Sequence, residues 1–203
     1  MVQGKASTPE GRSPLDQSIL EQVCLRQAAA LNQFFDHFYD RVYGYLAIML
    51  RDRTLAEDLT QDAFLRIHRG IDRLDPRRDP TGWVFTVVTN TVRDYWRSKE
   101  HKAKTRQATL DRPEDLPLVD KAPSAADSLE QHDTARAIGQ ALAELSDADR
   151  EVILLRNYEG LSSTDVAHML DLKPEAVRQR HSRAVARLSK VYKQMIDEDR
   201  KDR

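Results

Sequence analysis

The sequence predicts an all-α protein: two small helical domains joined by a flexible acidic linker, the second domain a helix-turn-helix. Three observations predict this. Apolar residues recur at three- and four-residue steps through most of the 203-residue chain. Residues 107–133 break that pattern with Pro113, Pro117 and Pro123, and set two bases against seven acids. The last third holds two capping-type helix starts in close succession, Ser146 with Asp149 and Ser162 with Asp165. The expected divisions are an N-terminal extension over 1–30, a first domain over 31–106, the linker over 107–133 and a second domain over 134–196.

The extension opens with Gly4, Ser7, Pro9, Gly11, Ser13 and Pro14, a composition expected to be disordered, and a short packing helix follows through Ile19 and Val23. Phe34, Phe35, Phe38, Val42, Tyr45, Leu46 and Met49 make one helical stripe, interrupted at Arg51-Asp52-Arg53. Thr54, with Glu57 three residues on, is the expected cap of the next helix, whose buried stripe is Leu55, Leu59, Ala63, Phe64 and Ile67. Its other face shows Glu57, Asp58, Gln61 and Asp62, which spacing alone reads equally as a solvated face or a binding one.

Residues 71–82 hold two prolines, a glycine and alternating charges, so they form a loop. From Trp83 a helix is expected to run to about His101, placing Trp83, Val87, Asn90, Asp94 and Arg97 on one stripe that begins apolar and ends polar. Phe85, Tyr95 and Trp96 interleave with arginines, as they would where bases stack on aromatic rings; core packing is the competing reading, and the stronger one for Trp83. Residues 66–106 carry a charge of +6 and 107–133 a charge of −5, so the net charge of −1 conceals a basic, acidic, basic order. As a coil the 27-residue linker would average about 30 Å end to end.

In the second domain Val152, Ile153 and Leu155 begin one helix that ends near Gly160. Val166, Ala167, Met169 and Leu170 define the next, with the small Ala167 where two helices cross closely. After Asp171-Leu172-Lys173, Pro174 suits the first position of a third helix, which Val177 anchors. From Lys173 to Lys193 seven bases face one acid, Glu175. A helix of that charge with one apolar side suits the major groove of DNA, against the plainer reading of a solvated basic face.

Other classes are excluded or weakened by composition. The single cysteine, Cys24, precludes an internal disulfide and a cysteine-rich zinc site. The six histidines lack metalloprotease spacing, and seven glycines leave little material for a phosphate loop, so neither metal, cofactor nor catalysis is expected. No apolar run reaches the roughly 18 residues of a membrane span and no signal peptide is visible, so a cytoplasmic location is expected.

Three stretches resemble one family. Ala56-Glu57-Asp58-Leu59-Thr60-Gln61-Asp62-Ala63-Phe64-Leu65 resembles the core-polymerase-binding segment of bacterial sigma factors of the extracytoplasmic-function group. Trp83 to Arg97 resembles their promoter-melting helix, and Leu161 to Leu188 their helix-turn-helix that reads the −35 element. The resemblance implies that Glu57, Asp58, Gln61, Asp62, Phe64 and Leu65 bind core RNA polymerase, through its largest and β subunits. It implies that Arg77, Arg78, Trp83, Asn90, Asp94, Arg97 and Lys99 engage the −10 element, with Asn90 on a base edge and Arg77, Arg78, Arg97 and Lys99 on phosphates. Asp94 would accept from a base amino group or pair with Arg93 or Arg97. Arg178, Gln179, Ser182 and Arg183 would read or position the −35 element, with Arg180 and Arg187 on phosphates. An anti-sigma factor is a further implied partner. His181 departs from the family's apolar residue, leaving its packing open. The competing reading is a conventional helix-turn-helix regulator that binds duplex DNA without replacing the polymerase's specificity subunit.

Overall fold

The computed structural model describes residues 15–105 and 137–201. The proposed linker and the first residues of the extension lie outside them. Among the described residues every regular element is helical. In order they are α1 (Gln17–Cys24), α2 (Ala28–Leu50), α3 (Arg53–Gly70), a 3₁₀ turn (Ile71–Arg73) and α4 (Thr81–Thr105). A helix α5 over 137–143 follows, then α6 (Asp147–Ile153) with a π turn (Leu154–Tyr158), α7 (Ser163–Leu170) and α8 (Pro174–Lys201).

The first bundle packs α3 between α2 and α4. Phe34, Phe38, Val42, Tyr45 and Leu46 of α2 are buried against Ala56, Leu59, Ala63 and Ile67 of α3 and Val84, Phe85, Val88 and Val92 of α4. Full burial contributes about 1.5–3 kcal/mol for each large apolar side chain, so this stripe outweighs the caps and surface pairs that adjust its edges. The expected extension helix is α1. Leu20 and Val23 are buried on α2, and the turn after them is held by Arg26, which donates to the His68 carbonyl at 3.1 Å and to Asp72 at 3.0 Å.

Two helix starts differ from the sequence reading, and α4 runs on to Thr105, beyond the expected end at about His101. The cap of α3 is Asp52, whose carboxylate accepts from the Leu55 N–H at 3.0 Å, and not Thr54. Arg51 ends α2 in the left-handed region at φ 56°, which delivers Asp52 already extended, the conformation a cap needs. At the other end of the loop, α4 begins at Thr81, two residues before Trp83, because Asp79 accepts from the Thr81 N–H at 2.8 Å.

The second bundle follows the sequence reading closely. Ser162 and Asp165 form a reciprocal capping box on α7, and Ser146 caps α6 by accepting from the Asp149 N–H. Asp171 supplies the turn before α8 at φ 53°, a conformation aspartate tolerates better than most residues. Ala167 and Val177 are buried where α7 meets α8. At the end of α6 the helix widens into the π turn, then Gly160 reverses the chain at φ 70°.

The two bundles touch along α2 with α6 and α4 with α7. Arg41 of α2 grips the Glu159 carboxylate with Nε at 3.0 Å and Nη2 at 2.7 Å, while its guanidinium lies over Phe38 and Phe85. Arg93 of α4 donates to the Met169 carbonyl at 2.5 Å and stands 3.9 Å from Glu151. The fully buried Tyr45 faces Glu151 in the same seam. Arg150, 2% exposed, donates to the carbonyls of Leu142, Ala143 and Leu145 at 2.9–3.0 Å and to that of Met49, at the end of α2, at 3.3 Å.

Burial pushes the Glu159 carboxyl up to about 7, against the pull of Arg41, the charged group facing it, which itself has His37 alongside. Burial raises Glu151 as well, with Arg93 and Arg180 opposing. Between the ordinary carboxylate range and pH 7 the folded chain therefore holds a proton on Glu159 that the unfolded chain has released. The resulting stability is full below that range and is lost as pH rises through about 7. Glu159→Gln, which mimics the neutral acid, should match wild type in chemical denaturation at pH 4. At pH 8 it should exceed wild type by up to about 3 kcal/mol; an equal difference at both pH values would contradict the assignment. Arg150→Ala should cost about 3 kcal/mol or more in the same measurement, because it leaves several buried carbonyls without a donor. A loss under 1 kcal/mol would show those carbonyls to be satisfied otherwise.

Candidate polymerase and nucleic-acid interfaces

On α3, the neighbours Glu57 and Asp58 are exposed, and so is Gln61 one turn further on. Asp62 is half-buried and paired with Arg66 at 3.0 Å. Beside this acidic edge lies a shallow apolar groove lined by Phe35, Gln61, Phe64, Leu65 and His68. Phe64 is held between Phe35, edge-on at 5.5 Å, and Tyr39, stacked at 5.9 Å. Leu65 and Tyr39 remain 55% and 49% exposed, large apolar groups left uncovered next to carboxylates. The sequence reading placed Phe35 in the core stripe and passed over Tyr39, since a tyrosine one turn beyond Phe35 reads as more of the same stripe.

The loop before α4 is closed on itself. Asp75 accepts from the backbone N–H and from Nε of Arg77, both at 3.1 Å, and these bonds hold its carboxyl below the ordinary range. Arg77 and Arg78 stay exposed. Trp83 is half-buried against the end of α3, where a Cβ added to Gly70 would meet its ring at 3.6 Å. Its position supports the packing reading for the ring body.

Further along α4, Asn90, Asp94 and Arg97 are exposed on the predicted stripe, and Lys99 is exposed off it. Asp94 is engaged by Arg66 at 2.6 Å and by Arg97 at 3.6 Å, so the ion-pair reading holds in the free chain, with Arg66 in the place expected for Arg93. Arg93 is turned instead into the seam between bundles. Trp96, 41% exposed, lies edge-on to Tyr95 at 5.2 Å and under the Lys99 ammonium at 5.4 Å. An aromatic face flanked by cations is what stacking on an unpaired base requires.

On α8, Glu175, Arg178, Gln179, Ser182 and Arg183 line one open patch, the consequence of three- and four-residue steps. Arg178 is paired with Glu175, and Arg183 Nε donates to the Gln179 carbonyl at 3.3 Å. The other two arginines lie off this patch. Arg187 clamps Asp149 of α6 at 2.6 Å, and the half-buried Arg180 acts on the Glu151 carboxyl. His181 meets Asn157 through Nε2 at 2.6 Å from Oδ1. Burial, assisted by Arg156, pulls its pKa down. A neutral ring donating from Nε2 to the amide oxygen thus replaces the expected apolar contact. Among the described residues no cluster of His, Cys, Asp or Glu is arranged to hold a metal, and no helix is long and apolar enough to cross a membrane.

Residues 34–102 match the family described as Sigma-70 region 2, and residues 135–188 the family described as Sigma-70, region 4. The chain is 32% identical over 163 residues to the ECF RNA polymerase sigma factor SigK of Mycobacterium sp. (strain KMS), covering 80% of this chain and 82% of that protein. It is 31% identical to SigK of Mycolicibacterium vanbaalenii, over 94% of this chain and 95% of that one. To the RNA polymerase sigma factor CarQ of Myxococcus xanthus it is 31% identical, over 80% and 88% respectively. Among solved structures the sigma factor RpoE of Bartonella quintana, in complex with the anti-sigma factor NepR, shares the fold with a TM-score of 0.65 at 21% identity, covering 80% of this chain and 96% of that one. CnrH in complex with the cytosolic domain of CnrY gives 0.60 at 23%, covering 92% and 99%. The chain belongs to the sigma-70 family of RNA polymerase sigma factors, in its extracytoplasmic-function group.

Proposed function

We propose that this alternative sigma factor divides its work among three surfaces on two domains. The domain over 31–106 binds core polymerase and opens the −10 element, and the domain over 134–196 selects the −35 element. The observation that supports this most directly is that three chemically distinct surfaces stay exposed in one compact chain. They are an acidic edge beside a bare apolar groove on α3, a basic and aromatic stripe on α4, and the arginine patch of α8.

Each surface has the chemistry its task requires. Leu65, Phe64 and Tyr39 offer apolar area, while Glu57, Asp58, Gln61 and Asp62 set orientation and reject acidic partners. The Asp75 turn holds Arg77 and Arg78 outward for phosphates, and Asn90 presents a donor and an acceptor to a base edge. Trp96 and Lys99 recover by stacking and charge part of the cost of unstacking a base. On α8, Arg178, Gln179, Ser182 and Arg183 are spaced to reach base edges and phosphates in the major groove. Arg187 braces α8 on α6 through Asp149, and Arg180 acts on the Glu151 carboxyl. The protein acts as a non-catalytic specificity subunit, and an anti-sigma protein is a further partner.

Asp62→Arg should lower affinity for purified core polymerase at least tenfold while leaving the fold intact, since the half-exposed Asp62–Arg66 pair it removes contributes little stability. Undiminished core binding would remove the α3 edge from the interface. Arg183→Ala should cost about 1–3 kcal/mol in affinity of the polymerase complex for a promoter with a −35 element, without changing core affinity. Equal losses in both assays would contradict a DNA-reading role.

A further inference from the structure

The arginine patch of α8 contains one acid. From Lys173 to Lys193 the chain carries seven bases, and Glu175 is the single carboxylate among them. It is the second residue of α8, and Arg178, Gln179 and Ser182 follow it at steps that keep all four on one side of the helix. Together with Arg183 they line the same open patch. The carboxylate is exposed, and Arg178 bonds it through Nε at 3.1 Å and through Nη2. Both bonds end on Oε2, so Oε1 keeps its lone pairs for another donor. On the guanidinium, the Nη1–Nη2 edge is left for a second acceptor.

An acid in the first turn of a helix suits the dipole, but that role needs no particular facing. On this face the carboxylate meets DNA, where phosphates repel it unless a donor is present. The N-terminal residues of a recognition helix are the ones that reach base edges, and Glu175 occupies that end. In the major groove cytosine shows only its N4 amino donor. Guanine shows the acceptors O6 and N7, thymine shows O4, and adenine sets N7 beside its N6 amino group. A carboxylate is therefore attracted by cytosine and opposed by an acceptor on each of the other bases.

We propose that Glu175 is a specificity-determining residue of the −35 surface, its carboxylate accepting from a cytosine N4 amino group while it holds Arg178 toward a guanine. This rests on the assignment of α8 to the −35 element above. The acid opposes DNA in general and favours it at one base, so it trades affinity for selectivity.

The test is selection from duplexes of a transcribed promoter, randomised over the upstream element and captured on holoenzyme built from core polymerase and the full chain. Wild type should enrich cytosine at one position by about five- to a hundredfold. Glu175→Gln, whose amide pairs with N6 and N7 of adenine, should move that position to adenine. Glu175→Ala should leave it unselected, while the positions chosen through Gln179, Ser182 and Arg183 stay as they were. The same variant should bind unrelated duplex more tightly, because a charge repelled by phosphates is gone. Variants that unfold more easily yet select the wild-type sequences would show a role in the helix dipole alone and overturn the proposal. An equal change in affinity for every sequence overturns it as well. A wild-type holoenzyme that enriches no upstream sequence overturns the −35 reading of α8, and Glu175 with it. Enrichment that Arg183→Ala alters and the Glu175 variants leave unchanged overturns the role of Glu175 alone.

Discussion

Arg150 is the group on which the second bundle depends. One guanidinium gathers the carbonyls of Leu142, Ala143 and Leu145, the free end of α5, and fixes the angle at which α6 leaves that end. A helix terminus buried without donors is costly, and here a charged side chain from the next helix supplies them. The same group extends to Met49 and so ties the frame of the helix-turn-helix to the end of α2. Burial pulls its pKa down, yet an arginine keeps its proton under these conditions, so the donor set does not vary with pH. Glu159, at the far end of the seam, is the opposite case: its partner is fixed and its own charge is the variable.

The arginines of this chain are divided between inside and outside, and that division separates frame from interface. Arg41, Arg93 and Arg150 face other helices and satisfy carboxylates or carbonyls. Arg77, Arg78, Arg97, Arg178 and Arg183 are exposed, and those that are paired are paired within a turn or loop of their own position. Local pairs of this kind hold a side chain in place at little energetic cost and release it readily to a phosphate. Arg187 and Arg66 lie between the two classes, each bracing one helix on another from a surface position.

Much of this was legible in the sequence because it is local. The Ser162–Asp165 capping box, the Asp171 turn, Pro174 opening α8 and the α8 patch all depend on spacings of a few residues, and each is present as read. The cap of α3 was misplaced by two residues because Thr54 and Asp52 both carry a suitable oxygen. The choice between them turned on Arg51 entering the left-handed region, which no local preference of arginine signals. The seam was not legible at all. Arg41 and Glu159 are 118 positions apart, and in the sequence each reads as an ordinary surface charge. Tyr39 escaped notice for a related reason: periodicity says that a residue is near a core face, not that the neighbouring helix stops short of covering it.

The π turn at Leu154–Tyr158 has the geometry of a one-residue insertion into α6. One added residue turns everything after it by about 100° around the axis, so the register of Glu159 relative to Leu154 is not that of a continued α-helix. The Glu159 N–H accordingly bonds back to the Leu154 carbonyl, five residues earlier. A single deletion within this stretch would rotate the acid away from α2 and would shift α8 on α6, against which it packs.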